Sequence, residues 1–155
     1  MKAKMESVYM DVIAGTIIFK EGKILMVKEA KKECYSKWAF PAGHIEKNET
    51  IFEGAKRETL EETGCKTELK KAFPIIIHNS SKMNIIMLYF LADLVEEGLE
   101  YFTNEILEIK WFSLSEIKNM KENEFRSYPV VKTIIDNIEN KKLYDLAIIK
   151  DLQNI

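Results

Sequence analysis

Three glutamates in the middle of the chain have the spacing of a small catalytic cluster. Glu58, Glu61 and Glu62 stand at positions i, i+3 and i+4, so they share one face if the segment is a helix. Carboxylates held together repel unless a positive group joins them. Their oxygens are hard ligands, which favours Mg²⁺ or Mn²⁺ over zinc. The alternative is a solvated acidic face balanced by Lys56 and Arg57.

The segment that carries these glutamates is predicted to be helical from residue 50 to residue 63, and Gly64 is placed to end it. Glu53 and Arg57 are i, i+4 partners that would hold this helix and orient the arginine. Gly54 lies inside the helix at a cost of roughly 1 kcal/mol relative to alanine. We therefore expect another backbone, or a metal-bound phosphate, to approach closely at Gly54.

The elements around this helix follow from hydrophobic periodicity and turn residues. Ser113 and Glu116 predict a capping box for a short helix that reaches about Met120. Residues 129–155 are predicted to be a helical tail, with two helices packed on the core between 129 and 152, and a homodimer contact remains an alternative role for it. This order predicts an α/β (α+β) fold in which helices cover a mixed sheet. Strands are predicted at residues 8–19, 23–28, 38–40, 73–77, 84–94 and 106–112.

Composition predicts a single domain over residues 1–155, because 46% hydrophobic and 31% charged residues are ordinary values for a globular chain. The formal net charge of −2 argues against broad binding to nucleic acid or membrane surfaces. A substrate that carries several phosphates would therefore need a local cation.

Cysteine usage and apolar runs predict a cytoplasmic protein. Cys34 and Cys65 form no Cys-x-x-Cys pair, so two reduced thiols are expected. Residues 1–7 contain no apolar core of a signal peptide. The longest apolar run, residues 85–92, is far too short to span a bilayer as a helix.

The spacing of fixed residues between positions 43 and 65 closely resembles the Nudix box. That motif has a glycine, five variable residues, a glutamate, seven variable residues and an Arg-Glu pair. A Glu-Glu pair and a second glycine then complete it. Gly43, Glu49, Arg57 and the run that follows match every charged and glycine position. Thr59 and Cys65 stand where larger aliphatic residues are common, and we expect Thr59 to face the core. The flanking segments 38–46 and 111–114 also resemble the family.

The resemblance implies a MutT-like Nudix fold, an α/β/α sandwich, and a hydrolase that cleaves a diphosphate linkage with water and Mg²⁺ or Mn²⁺. It implies that the metal is held by the three box glutamates and by a backbone carbonyl of the preceding loop. It also implies an ion pair that locks this loop onto the helix. The metal ligands are Glu58, Glu61, Glu62 and Ala42 or Gly43; Glu61 and Glu62 are also counted as catalytic, and Glu49, Arg57 and Gly64 are structural.

Residues outside the box are expected to bind the substrate and to take up the proton. A carboxylate clamped on a cation accepts a proton poorly, and the resemblance implies that a glutamate on a later loop is the general base. We assign this role to Glu105, with a solvated loop residue as the alternative, and a surface role to Glu108. The residues expected to contact the substrate are Lys28, His44, Trp38 and Phe40, with a solvated or core-packed role as the alternative for each.

The substrate is expected to be a small phosphate compound. The Pro41-to-His44 loop resembles that of phosphatase-like members that act on nucleoside triphosphates, nucleoside diphosphates and related pyrophosphates. Two alternatives stay open. One is a Nudix domain that binds a ligand and regulates without turnover, although such domains usually lose box glutamates. The other is an RNA 5′-pyrophosphate hydrolase, for which a basic channel would be expected.

Overall fold

The structure is a computed structural model that describes residues 9–79 and 81–152. The predictions for residues 1–7 and for Val8 lie outside the described residues. The strands are Asp11–Lys20 (β1), Lys23–Glu29 (β2), Trp38–Ala39 (β3), Ala42–His44 (β4), Lys66–Ala72 (β5), Ile76–Asn79 (β6), Asn84–Glu96 (β7), Ile106–Ser113 (β8) and Tyr144–Asp145 (β9). The α-helices are Ile51–Thr63 (α1), Leu114–Asn119 (α2) and Tyr128–Glu139 (α3).

The described strands form one mixed sheet around β1. Strand β1 pairs in parallel with β7 and antiparallel with β4, while β7 also pairs with β5 and β6. A hairpin turn at Glu21 and Gly22, which have φ angles of 49° and 75°, brings β2 back beside the end of β1. Two positive φ angles are typical of the tight turns that suit twisted hairpins. Strand β2 pairs in turn with β3 and β8.

Helices cover both faces of the sheet, which confirms the predicted α/β/α sandwich. Helix α1 packs Ala55 against Leu88 and Phe90 of β7 on one face. On the other face, α2 and α3 contribute Ile117 and Ile134 to a larger aromatic core. Within residues 9–79 and 81–152, no helix is both long and apolar enough to cross a membrane.

Helix α1 begins and ends where the sequence predicts. The Thr50 hydroxyl accepts a hydrogen bond from the Glu53 amide at 3.0 Å, and the Glu53 carboxylate accepts one from the Thr50 amide at 2.8 Å. This reciprocal capping box satisfies two amides that have no partner inside the helix. At the other end Gly64 adopts φ 69°, a left-handed conformation that favours glycine. The Glu53 carboxylate thus fixes the start of the helix, and Arg57 binds other carboxylates.

The structure corrects the prediction of two helices in the tail. Helix α3 buries Val130, Val131, Ile134 and Ile135 as expected. After it the chain forms β9, which pairs with β5, and a short 3-10 turn over residues 146–148. The periodic apolar residues of this segment belong to a strand, a turn and the chain beside them, so their spacing was not evidence for a second α-helix. Strand β5 was not predicted, because its alternating lysines and glutamate leave little apolar signal.

Candidate active site

The loop before α1 lies against two of the three glutamates. The Ala42 amide donates a hydrogen bond to Glu62 Oε2 at 3.1 Å. A Cβ atom placed on Gly43 would lie 2.2 Å from Glu58 Cδ, so only glycine lets this carboxylate sit against the backbone. Strand β4 therefore brings the backbone of Ala42 and Gly43 beside Glu62 and Glu58, as the resemblance implied.

Glu62 is a buried carboxylate with like charges around it. It is 3% exposed, and burial raises its pKa well above the usual range. The negative charges of Glu29 and Glu58 raise this pKa further, while the hydrogen bond from Ala42 opposes the shift. A carboxylate in this environment is ionised at low cost only when positive charge comes close.

Arg57 supplies positive charge to the other carboxylates of the helix. Its Nη1 atom donates to Glu58 Oε1 at 2.7 Å and to Glu61 Oε2 at 3.2 Å. Burial raises the pKa of Glu58, and the hydrogen bond from Arg57 opposes this rise. The Glu61 side chain is 46% exposed. Arg57 therefore gathers Glu58 and Glu61 on one side of α1, while Glu62 points to the loop backbone.

The expected pair of Glu49 and Arg57 is present. Arg57 Nε donates to Glu49 Oε2 at 2.9 Å, and Nη2 donates to Glu49 Oε1 at 2.7 Å and to the His44 carbonyl at 3.0 Å. This two-point contact lowers the pKa of Glu49 and ties the loop to the helix. A Cβ atom on Gly54 would lie 2.4 Å from Ile45 Cδ1 and 2.9 Å from Glu49 Oε1. Gly54 thus admits side chains of the loop, which corrects the expectation of a backbone or phosphate there.

The residues around Glu62 fit a divalent cation, although they do not form a preassembled cage. Within the described ranges 9–79 and 81–152, no three acidic, histidine or cysteine side chains converge as metal ligands, since Arg57 holds Glu58 and Glu61. However, Glu62 and Glu58 are both largely buried with raised pKa values. Buried carboxylate oxygens beside the backbone of β4 form a donor set that suits Mg²⁺ or Mn²⁺.

The expected substrate residues lie in different environments. Lys28 Nζ is 5.1 Å from the centre of the Trp38 ring and 3.3 Å from Glu108 Oε2. Trp38 and Phe40 are buried in the core, where Trp38 meets Phe112 edge-on. The His44 imidazole is exposed, and its Nε2 atom lies 3.8 Å from Asp11 Oδ2.

Glu105 stands in the loop before β8, as expected, and it is paired with a lysine. Its carboxylate lies 3.0 Å from Lys31 Nζ, and its carbonyl accepts a hydrogen bond from the Ala30 amide at 2.7 Å. The positive charge of Lys31 lowers the pKa of both Glu58 and Glu62, opposing the effect of burial. Glu108, three residues later, pairs with Lys28 on the surface of the sheet.

Sequence reasoning missed a second buried carboxylate next to the box, Glu29 at the end of β2. It is 1% exposed, and its Oε1 atom accepts a hydrogen bond from Arg126 Nη1 at 2.7 Å. Its Oε2 atom is buried without a hydrogen-bond partner among the described residues. One signal was available: Glu29 comes two positions after the four apolar residues of a buried strand, where a charge needs a partner. No spacing rule identifies Arg126, which lies 97 residues further on.

Comparison with known proteins identifies the family. The model of the NUDIX domain matches residues 10–134. An 8-oxo-dGTP diphosphatase of Buchnera aphidicola is 33% identical over 111 residues, which cover 71% of this chain and 82% of that protein. The 8-oxo-dGDP phosphatase NUDT18 of Danio rerio is 49% identical over 53 residues, but these cover 34% of this chain and 16% of that protein.

A solved structure agrees with the match. A NUDIX hydrolase from Nitrosomonas europaea superposes with a TM-score of 0.85 at 25% identity, covering 95% of this chain and 100% of that one. The family match includes the loop, helix α1 and the strands that position the glutamates. The chain belongs to the Nudix family.

Proposed function

We propose that the chain is a divalent-metal-dependent hydrolase that cleaves a diphosphate linkage in a nucleoside triphosphate or diphosphate. The observation that carries the proposal is the buried Glu62 carboxylate, hydrogen-bonded to the Ala42 amide and flanked by Glu58 and Glu29. A helix with a purely structural role rarely buries a carboxylate beside other negative charges, because this burial costs several kcal/mol in the absence of a cation.

Glu58, Glu61, Glu62 and a backbone carbonyl of Ala42 or Gly43 would hold Mg²⁺ or Mn²⁺, the ions that such oxygen donors prefer. When bound, the ion neutralises phosphate charge and makes a nearby water molecule more acidic. Glu58 and Glu61 would turn oxygens toward the ion that Arg57 does not already hold, or would give up their contacts with Arg57. The two-point contact of Arg57 with Glu49 would keep the loop fixed to the helix in either case.

Glu105 is proposed as the general base. Its carboxylate would accept the proton of the attacking water as the new P–O bond forms, and the bond from phosphorus to the bridging oxygen breaks. The product that keeps the bridging oxygen leaves with the electrons of that bond. The Ala30 amide holds the Glu105 backbone, so the loop presents this carboxylate from a fixed position. Of the other expected substrate contacts, we retain Lys28 and His44 as contacts for phosphate. Trp38 and Phe40 are buried in the core, which favours the core-packed alternative over a substrate contact for both.

The names of the matched relatives suggest which substrates to test first. Two of these relatives are named for 8-oxo-dGDP and 8-oxo-dGTP, so oxidised guanine nucleotides come before other nucleotides in the screen. The chain covers only 16% of the NUDT18 protein, and therefore the substrate remains part of the proposal.

The test is a phosphate-release assay across nucleoside triphosphates and diphosphates, with EDTA, Mg²⁺ or Mn²⁺. We expect turnover of at least one nucleotide with Mg²⁺ or Mn²⁺, a loss of activity in EDTA, and recovery when the ion is returned. Turnover that persists after exhaustive chelation would contradict the mechanism. Tight nucleotide binding without any turnover would favour a binding domain instead.

A further inference from the structure

Lys31 is a cation near the catalytic carboxylates that the family motif does not contain. It follows β2 in a loop that is closed by two backbone hydrogen bonds. The Cys34 amide donates to the Lys31 carbonyl at 3.1 Å, and the Ser36 amide donates to the Glu29 carbonyl at 2.8 Å. The ammonium group is therefore presented from a fixed backbone.

The surroundings of Lys31 place its charge within reach of the site. Burial lowers the pKa of Lys31, but the hydrogen bond to Glu105 and the charges of Glu29 and Glu105 outweigh this effect and raise it. The same ammonium charge acts on Glu58 and Glu62. Since Glu105 is the proposed general base, an ammonium group 3.0 Å from its carboxylate is placed to reach the phosphate that this base would serve.

The partners of the two neighbouring arginines distinguish Lys31 from them. Arg57 is bound to the carboxylates of its own helix and loop, and Arg126 is bound to the buried Glu29. By contrast, the Glu105 partner of Lys31 has a side chain that is 48% exposed. An ion pair of this exposure is weak because solvent screens it, so a phosphate group with its larger charge can displace the carboxylate.

We propose that Lys31 binds a substrate phosphate and exchanges its Glu105 partner for it, which frees the Glu105 carboxylate at the moment the substrate arrives. The proposal rests on the hydrolase function above and adds a residue to it. Without substrate, Lys31 and Glu105 neutralise each other. With substrate, the ammonium group donates to a phosphate oxygen, and Glu105 is left without a cationic partner and free to accept a proton.

The experiment measures binding of α,β-methylene-GDP, whose bridge cannot be hydrolysed, by calorimetry in Mg²⁺. Lys31→Ala is expected to raise Kd about 10-fold, since a charge-assisted contact with phosphate is lost. Lys31→Arg should keep Kd within about 3-fold of wild type, because its guanidinium group also binds phosphate. Lys32→Ala, which removes the next, exposed lysine, is the matched control and should leave Kd unchanged.

A double-mutant cycle tests the exchange itself. Glu105→Gln should tighten binding about 3-fold, because Lys31 loses its competing partner, and this gain should vanish in the Lys31→Ala background. Glu33→Gln, which removes an exposed carboxylate of the same loop, should not change Kd. Equal effects of Lys31→Ala and Lys32→Ala, or a Glu105→Gln effect that persists without Lys31, would overturn the proposal.

Turnover measured separately keeps this test apart from that of the function. Wild-type protein that binds the analogue through Lys31 but hydrolyses no nucleotide would support the Lys31 assignment and contradict the hydrolase proposal. Metal-dependent hydrolysis combined with unchanged analogue binding in Lys31→Ala would support the hydrolase proposal and contradict the Lys31 assignment. Thermal unfolding of each variant shows whether its fold is retained.

Discussion

Only two of the 23 basic residues are arginines, Arg57 and Arg126, and each is bound to carboxylates near Glu62. Arg57 contacts Glu49, Glu58 and Glu61 within one continuous segment. Arg126 forms its ion pair with Glu29, far away in sequence. The planar guanidinium group offers five donors in a fixed arrangement, which suits it to carboxylates that lysine would hold less precisely.

The two arginines differ in what their carboxylates have to do. In the proposed mechanism Glu58 and Glu61 also hold a metal, and the contact of Arg57 with Glu49 fixes the loop beside them. Glu29 has no such second role in that mechanism, and it is almost fully buried. We therefore propose that Arg57 positions groups used in catalysis, whereas Arg126 mainly neutralises a charge that the fold has buried. No contact joins either arginine to Glu62 among the described residues.

The largest effect is expected for Glu62→Gln, which keeps the size of the side chain and removes its charge. We expect turnover to fall by about 10²-fold or more, by analogy with other lost electrostatic contacts in active sites. Steady-state kinetics with saturating Mg²⁺ measures this loss. Wild-type turnover would mean that the buried carboxylate plays no part in the reaction.

The same variant should be more stable than wild type in EDTA at pH 8. Because the pKa of Glu62 in the folded state lies well above its ordinary value of 4.5, its contribution to stability is present below pH 4.5 and is lost as the pH rises through the folded-state pKa. Each unit of raised pKa corresponds to about 1.4 kcal/mol. Urea unfolding should therefore show that the variant is more stable than wild type at pH 8, by an amount that shrinks towards pH 4.5.

An intermediate effect is expected for Arg57→Ala, which sharpens the comparison because it removes a positioning arginine. The loop would lose its two-point contact through Glu49, so we expect about a 10-fold loss of turnover. Breaking charged hydrogen bonds of this kind typically costs about 1–3 kcal/mol, so the free energy of unfolding should also fall. An unchanged melting temperature with lost activity would instead place Arg57 in the chemistry.

The smallest effect on turnover is expected for Arg126→Ala, whose main consequence should be on stability. Removing it leaves the Glu29 charge buried and unpaired, and since the Arg126 side chain is 41% exposed we expect a loss of about 1–3 kcal/mol, below the usual range for fully buried pairs. Adding Glu29→Gln should restore part of this stability, because the buried charge is removed. A 10-fold loss of turnover at unchanged stability would make the two arginines alike and contradict the distinction.

Much of the site was predictable because its chemistry is local. The end of α1 at Gly64 and the pair of Glu49 with Arg57 both depend on residues within one turn or one loop of each other. The buried position of Thr59 was expected too; its hydroxyl donates to the Ala55 carbonyl at 2.7 Å and meets the Thr16 hydroxyl. Spacing along a helix fixes such neighbours before any tertiary contact forms.

The tertiary structure alone decided what stands opposite this segment. The partners of Glu29 and Lys31 come from residues 97 and 74 positions further along the chain, and no periodicity links them. Strands β5 and β9 likewise form because β7 offers an edge and β5 then offers another, although their own sequences carry a weak pattern. Helix caps and helical spacing act over a few residues, whereas ion pairs across the sheet and strand pairing depend on how distant segments pack.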